Sequence, residues 1–391
     1  MTVEERQKIW FLLVISFLVY VVAGLFGYGN DSDTYRMIIS GQTFITQFKY
    51  DPSRYPSYLI PELAIGITSL IGSFYLSNLV SAILGSATLL LFFLLLRKAF
   101  KITDSFLITL TVGLNPYFII VSSSSMDYIY SLFFIMAGIF ALYRQKHIVA
   151  GALFSFAISS RLSNIAVVIG TYLYFLGISG KNKKKDAKQF LLSGFFALIL
   201  SIFLYLPAFI AANYSFGFLT YVIGNWTFSG YASRFIYKNI YLFGLLPFLF
   251  FLLTTIYFFC IQRVEIFRRP VVIAGLIILL LQELLFFKIP LDKCYLLPIL
   301  FVVIPIWAVF INSQRLLVVL LIFTISYNFI NLDILNIKYN EELKRRTGNV
   351  EAIGANIGLF IKRGILIDDL MKRNESEQEC KMILKLENSR L

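Results

Sequence analysis

Histidine is almost absent from this 391-residue chain, cysteine occurs three times, and charged residues make up only 15% of it. With the single His147, neither histidine-based acid–base chemistry nor an imidazole-rich metal cluster is expected. Cys260, Cys294 and Cys380 lack the spacing of a zinc or redox site. No repeat period is visible, and no low-complexity linker occurs beyond a lysine-rich stretch at 181–188. Acidic residues are outnumbered, 22 against 35 basic, which leaves a net charge of +13.

Apolar residues fill the chain instead. They make up 58% of it, and aromatic residues 17%, more than a soluble domain of this length employs. A helix crossing a hydrocarbon core of roughly 30 Å needs about 20 residues. Eleven such runs are expected, at 9–27, 74–96, 104–121, 127–143, 148–159, 162–178, 190–212, 239–260, 271–287, 294–311 and 316–330. The chain therefore reads as all-α and polytopic.

The basic residues set its direction, because cytoplasmic loops are enriched in Lys and Arg. With the N-terminus inside, sixteen of the 35 fall on inner segments, eight on outer segments and eleven after residue 330. A break near Arg161 keeps the "YRQK" and "GKNKKKDAK" loops on the same face. The net charge is then mostly topology rather than a nucleic-acid footprint. The first run lacks a small-residue cleavage site and is expected to remain as an anchor. Residues 1–330 form the expected membrane module, and 331–391 a short outer tail whose patch "IGLFIKRGILIDDLM" suits a membrane surface.

The longest outer loop, at 28–73, carries "NDSDTYRM". Tyr35, Ile38, Ile39, Gln42 and Ile45 follow at helical spacing, which predicts an amphipathic interfacial helix. If that helix starts near Thr34, Asp33 takes the cap position and Asp31 is left freer. Two prolines and Glu62 make 59–71 a short helix packed at the outer face rather than a span. Carboxylates are costly inside a membrane. Glu62, Asp127, Glu283 and Asp292 all fall toward the outer ends of their segments, where they could line one cavity, with a structural pairing to a neighbouring helix open for Glu283. Arg54, Arg161, Arg234, Lys288 and Lys293 lie on the same face, as anion ligands or as residues snorkelling to lipid headgroups.

In order along the chain, "DSDTY" at 31–35, "SRYPSY" at 53–58, Glu62, Asp127 in "SSSSMDYIY", Arg161 in "SSRLSN" and "IPLDKCYLLP" at 289–298 resemble the motifs of the GT-C superfamily of integral-membrane glycosyltransferases, which includes the mannosyltransferase and aminoarabinose-transferase-like families. Ser57 stands where the pattern has a second proline or glycine. The resemblance implies a GT-C-like helical fold and transfer of a sugar from a polyprenyl-phosphate carrier to an acceptor hydroxyl on the outer or lumenal face, in a cell membrane or the endoplasmic reticulum. It implies Asp31 and Asp33 as the catalytic carboxylates, with Asp31 the general base, and Arg54, Arg161, Lys288 and Lys293 as ligands of the donor phosphate. Tyr35, Tyr58, Glu62, Asp127, Glu283, Asp292 and Tyr295 would position substrate. Such carboxylates and cations suit the chemistry. No metal is required by this reading, although an Asp-x-Asp pair can hold a divalent cation. Two other classes stay open: a polysaccharide polymerase or ligase using a diphosphate donor, and a lipid-linked sugar transporter or flippase, for which midplane charges, paired broken helices and an internal repeat would be expected.

Overall fold

The computed structural model of the protein describes residues 3–54, 56–178, 183–215, 228–261, 270–288, 292–339 and 352–373; positions 289–291 of the late motif, the first part of the lysine-rich stretch and Cys380 lie outside them. The helices in chain order are α1 (Val3–Gly24), α2 (Ser32–Gln47), α3 (Leu59–Leu94), α4 (Ser105–Gly113), α5 (Pro116–Ser122), α6 (Asp127–Tyr143), α7 (His147–Ser160), α8 (Ile165–Ile178), α9 (Lys183–Ala211), α10 (Phe228–Phe243), α11 (Leu245–Ile261), α12 (Pro270–Lys288), α13 (Leu297–Ile311) and α14 (Gln314–Phe329). Strands β1 (Ile330–Tyr339) and β2 (Ala352–Arg363) follow, and a last helix, α15, covers 365–373.

Among the described residues, five helical stretches are long and apolar enough to cross a membrane: Val3–Gly24, Leu59–Ala99, Asp186–Ala211, Val271–Lys288 and Lys293–Ile311. Two pairs reach that length only together, Ser105–Gly113 with Pro116–Ser122 and Gly230–Phe243 with Leu245–Cys260, and bend by 69° and 95° at their breaks. The protein is thus a helical membrane protein, but the expected eleven spans are not met: the count is five, or seven with the bent pairs. The remaining expected runs are apolar helices of 10–17 residues, at Asp127–Tyr143, His147–Ser160, Leu162–Gly177 and Gln314–Phe329. Hydropathy does not distinguish a side chain covered by lipid from one covered by protein. Helix α6 is apolar largely because it is enclosed, with twelve of its residues buried.

The outward faces are those of a lipid-solvated bundle. Helix α1 exposes Trp10, Phe11, Val14, Leu18 and Val22 along one stripe and turns small or polar groups inward. Ser16 donates to the Leu12 carbonyl and Tyr20 to that of Gly113 at 2.9 Å, as expected where interior polar groups must be satisfied by protein.

Four local features place the site. Helix α3 kinks at Gly72 and Ser73, the latter at φ 56°, which separates the expected short outer helix from the span that follows. Helix α2 crosses α3 at Gly41 and Gly66, where a Cβ on either would overlap the other helix's backbone. Pro116 and the Asn115 cap restart the chain after α4. Gly244, at φ 87°, makes the sharper turn between α10 and α11, a conformation that costs glycine little.

Within the expected tail the described residues form an antiparallel pair of strands, β1 with β2, followed by α15. Asp333 on β1 accepts from Tyr237 at 3.1 Å and Lys362 at 2.7 Å. Arg373 in α15 is wholly buried. It pairs with Asp369 at 2.7 Å and donates to the carbonyls of Ala23, Ile120 and Ser123, so one guanidinium caps the carbonyl ends of α1 and α5.

Candidate functional site

Two short connections deliver the carboxylates, one between α1 and α2 and one between α5 and α6. Asn78 of α3 donates to the carbonyls of Gly24 at 2.9 Å and Gly27 at 2.7 Å. Ser125 donates to the side chains of Ser77 and Asn78, and its amide to the Tyr28 carbonyl at 2.8 Å. Asn78, Ser125 and Arg373 therefore hold together the segments that lead to Asp31 and Asp127.

Helix α2 starts at Ser32, two residues earlier than the pattern predicts. This reverses the expected capping: Asp31, not Asp33, is the N-cap, and one of its oxygens accepts from the Asp33 amide at 3.0 Å. Its other oxygen accepts no hydrogen bond among the described residues. Asp33 is instead committed to cations, with Arg54 Nη1 at 2.5 Å and Arg36 at 3.5 Å. Burial pushes the Asp31 carboxyl above its ordinary value, the Asp33 amide opposes this, and the neighbouring Asp33 and Asp292 charges reinforce it.

Arg54 also reaches Asp127 Oδ1 at 3.1 Å, and Arg161 Nε approaches Asp127 Oδ2 at 2.6 Å. Asp33, Arg54, Asp127 and Arg161 thus form a row of alternating charge drawn from four segments. Burial alone would lower the affinity of both guanidinium groups for their protons; the negative charge of Asp127 opposes this at both, joined by Asp33 at Arg54, and both stay cationic.

The contact of Arg161 with Asp127 is close but misses hydrogen-bond alignment, and none of the three guanidinium nitrogens has an acceptor among the described residues. Arg161 is nevertheless only 4% exposed. Its charge rests on aromatic faces, with Cζ 3.3 Å from the Tyr128 ring centre, 4.5 Å from that of Tyr295 and 5.8 Å from that of Tyr58. Tyr128 in turn donates to Asp292 at 2.7 Å. Asp292 also accepts from the Cys294 amide. Burial pushes Asp292 up, but Lys293, the Tyr128 hydroxyl, that amide and Arg161 together hold it below the usual carboxylate value. Lys293 Nζ lies over the rings of Tyr117 at 5.1 Å and Tyr241 at 5.8 Å.

Arg161, Tyr128, Asn164, Cys294 and Tyr295 are among the residues that line a small cavity of about 10 Å³, room for about one water. Leu132 and Pro298 belong both to this cavity and to a larger apolar one of about 90 Å³, walled by α3, α6, α8, α12 and α13 and reaching Phe100 and Ile102.

The expected residues divide accordingly. Asp31, Asp33, Arg54, Tyr58, Asp127, Arg161, Asp292, Lys293 and Tyr295 come together. Glu62 is wholly buried: it accepts from Tyr50 and from both the amide and hydroxyl of Ser53, and so fixes the loop that presents Arg54. Tyr35 donates to the Gly29 carbonyl and stacks edge-on with Tyr28, bracing the loop instead of lining a cavity. Glu283 takes its alternative role, accepting from Asn239 at 3.2 Å between α12 and α10. Lys288 ends α12 exposed and contacts none of these groups among the described residues.

Several contributors were missed. Tyr128 stands beside Asp127 and was findable by proximity. Lys238 lies within electrostatic reach of Lys293, Arg234 and Asp292 and differs in sequence from no other interfacial lysine. Asn78 and Arg373 carry no sequence signal. Among the described residues no three His, Cys, Asp or Glu side chains converge as a metal-ligand set. No family model, curated protein or solved structure matches the chain.

Proposed function

We propose that this protein is a GT-C-like membrane glycosyltransferase that moves a sugar from a polyprenyl monophosphate to an acceptor hydroxyl at the outer or lumenal face of its membrane. The observation that carries the reading is Arg161: a buried guanidinium beside Asp127 whose donors find no aligned acceptor among the described residues, at a small cavity that shares Leu132 and Pro298 with the larger apolar one. A lipid phosphate matches both halves, with an anion for the guanidinium and a chain for the bundle interior.

In this reading Asp31 takes the acceptor proton through its uncommitted oxygen. The acceptor oxygen bonds to the anomeric carbon as the bond from that carbon to the phosphate oxygen breaks, and the electron pair leaves with the polyprenyl phosphate. The stereochemical course is inversion by single displacement. Arg161 and Lys293 receive the developing charge; Arg54 orients Asp33 and Asp127.

The two bent helix pairs favour a second reading, since transporters place discontinuous helices at their substrate sites. The breaks are closed, however. Asn328 donates to the Leu114 carbonyl, Asn115 to that of Leu242 and Tyr327 to that of Tyr241, so each of these three carbonyls already has a partner within the protein. Purified protein in vesicles containing a labelled polyprenyl-phosphate sugar separates the readings: acceptor-dependent release of polyprenyl phosphate supports transfer, and movement of label between leaflets without release refutes it. Turnover that chelator abolishes and magnesium or manganese restores would overturn the metal-free form of the mechanism.

A further inference from the structure

A hairpin in water buries its apolar face and shows its polar one, and β1–β2 does the reverse. Asn331 and Asp333 are 1% and 3% exposed and face the helices, where Asn331 donates to Tyr241 and Asp333 accepts from Tyr237. Ile357, Leu359 and Ile361, at alternate positions of β2 and so on one face, are 87%, 71% and 79% exposed. The register Leu332↔Ile361 and Leu335↔Ile357 adds two leucines to that face.

This surface continues another. Helix α14 exposes Val318, Ile322, Ile325 and Phe329, spaced as one helical stripe, and the stripe runs directly into exposed Ile330, where β1 begins. Ile330 pairs across the hairpin with exposed Arg363. An apolar band that passes unbroken from the lipid-facing side of a membrane helix onto a strand pair, with an arginine at the junction, matches one partner: the boundary between acyl chains and phospholipid headgroups. Among the described residues the sheet has only these two strands, and outer-edge backbone groups are ones that hydrocarbon cannot satisfy, so the strands belong at headgroup depth.

We infer that the β1–β2 hairpin is a membrane-surface element, lying with Ile357, Leu359 and Ile361 against the acyl chains of phospholipids and with Asn331 and Asp333 against the helix bundle. It then holds α15 and its Arg373 contact between the bilayer surface and the segments that carry Asp31 and Asp127.

The test uses the full chain with Cys260, Cys294 and Cys380 replaced by alanine, reconstituted in vesicles of phosphatidylethanolamine and phosphatidylglycerol. A nitroxide is attached at Leu359→Cys, or at Ile357→Cys or Ile361→Cys where the first variant reconstitutes poorly. Collisions with dissolved oxygen should exceed those with a water-soluble nickel chelate, at a depth near the headgroups. Nickel-chelate access equal to that of an exposed aqueous loop would overturn the inference. So would protection from both reagents, which would assign the face to a protein partner or a second copy of the chain. Neither result depends on glycosyl transfer.

Discussion

The most direct perturbation is a pair of single substitutions in the first connection, Asp31→Asn and Asp33→Asn, because the structure gives these neighbours different work. Asn caps a helix about as well as Asp, so Asp31→Asn should keep the bond to the Asp33 amide and change stability by no more than about 0.5 kcal/mol. It removes the carboxylate oxygen of the connection that accepts no hydrogen bond among the described residues. Loss of a general base lowers turnover on the order of 10² to 10⁴-fold, which at about 1.36 kcal/mol per decade is roughly 2.7 to 5.4 kcal/mol of barrier.

Asp33→Asn acts elsewhere. It weakens the contact with Arg54, whose side chain is 16% exposed against 23% for Asp33. A charge-assisted hydrogen bond contributes about 1.5–3 kcal/mol, and partial exposure brings the expected loss to roughly 1–2 kcal/mol. Arg54 keeps Asp127, so turnover should fall modestly. Release of polyprenyl phosphate gives kcat, and thermal unfolding in detergent gives stability. Near-normal turnover by folded Asp31→Asn refutes the assignment of the base; a larger loss at Asp33 transfers the role to it.

Since Asp31 must be unprotonated to accept a proton and burial raises its affinity for one, the acidic limb of the pH–rate profile should have its midpoint above the ordinary carboxylate value of about 3.9, with turnover rising as pH increases through it; a midpoint at or below that value contradicts the role. Arg161→Gln should weaken binding of polyprenyl phosphate about 10- to 150-fold, the equivalent of one charge-assisted hydrogen bond, as read by titration of the purified protein, and unchanged affinity would place the phosphate elsewhere. Arg373→Ala strips buried carbonyls of their donor and leaves Asp369 without its partner, so thermal unfolding should report a loss of about 3–5 kcal/mol, partly recovered by Arg373→Lys; a loss under about 0.5 kcal/mol would mean that α15 is not docked.

Much of the site was legible because charge is rare in this chain, and a carboxylate or guanidinium amid apolar residues needs a reason to be there. Asp127, Arg161 and Asp292 announced themselves in that way. What the sequence left open was direction. Starting α2 two residues earlier moved the cap from Asp33 to Asp31 and left Asp33 to pair with Arg54, a shift within the ordinary uncertainty of a helix end. Glu62 stood out equally, yet whether it met the cavity or the loop depended on the path of 50–58, which no periodicity encodes. Arg373 was invisible: its acceptors lie 250 and 350 positions away in the chain, and the residues before it read as an apolar patch suited to a membrane surface. The span count failed for a related reason, since enclosed helices such as α6 are as apolar as lipid-facing ones. The same ambiguity hid the hairpin, whose alternating residues in "IGLFIKR" face opposite ways from those of a soluble sheet.

The row Asp33, Arg54, Asp127 and Arg161 has a property that none of its members has alone. Each interior link is doubly engaged: Arg54 holds two carboxylates, and Asp127 meets two guanidinium groups. Charges so paired are poor ligands for anything new, because a ligand would have to displace an existing partner. Among the described residues, uncommitted capacity remains beside the ends. At one end, adjoining Asp33, is a carboxylate oxygen of Asp31; at the other are the donors of Arg161, close to Lys293 and the apolar cavity. A single displacement at a sugar carbon needs an acceptor for a proton on one side of the reacting carbon and a stabiliser of departing negative charge on the other. The mutually paired charges between them keep these two groups apart, so that Arg161 does not quench Asp31 by pairing with it. On this argument, reversing the Arg54 charge with Arg54→Glu should cost more than removing either end group, since it leaves Asp33 and Asp127 facing a third carboxylate and frees Arg161 to move toward them.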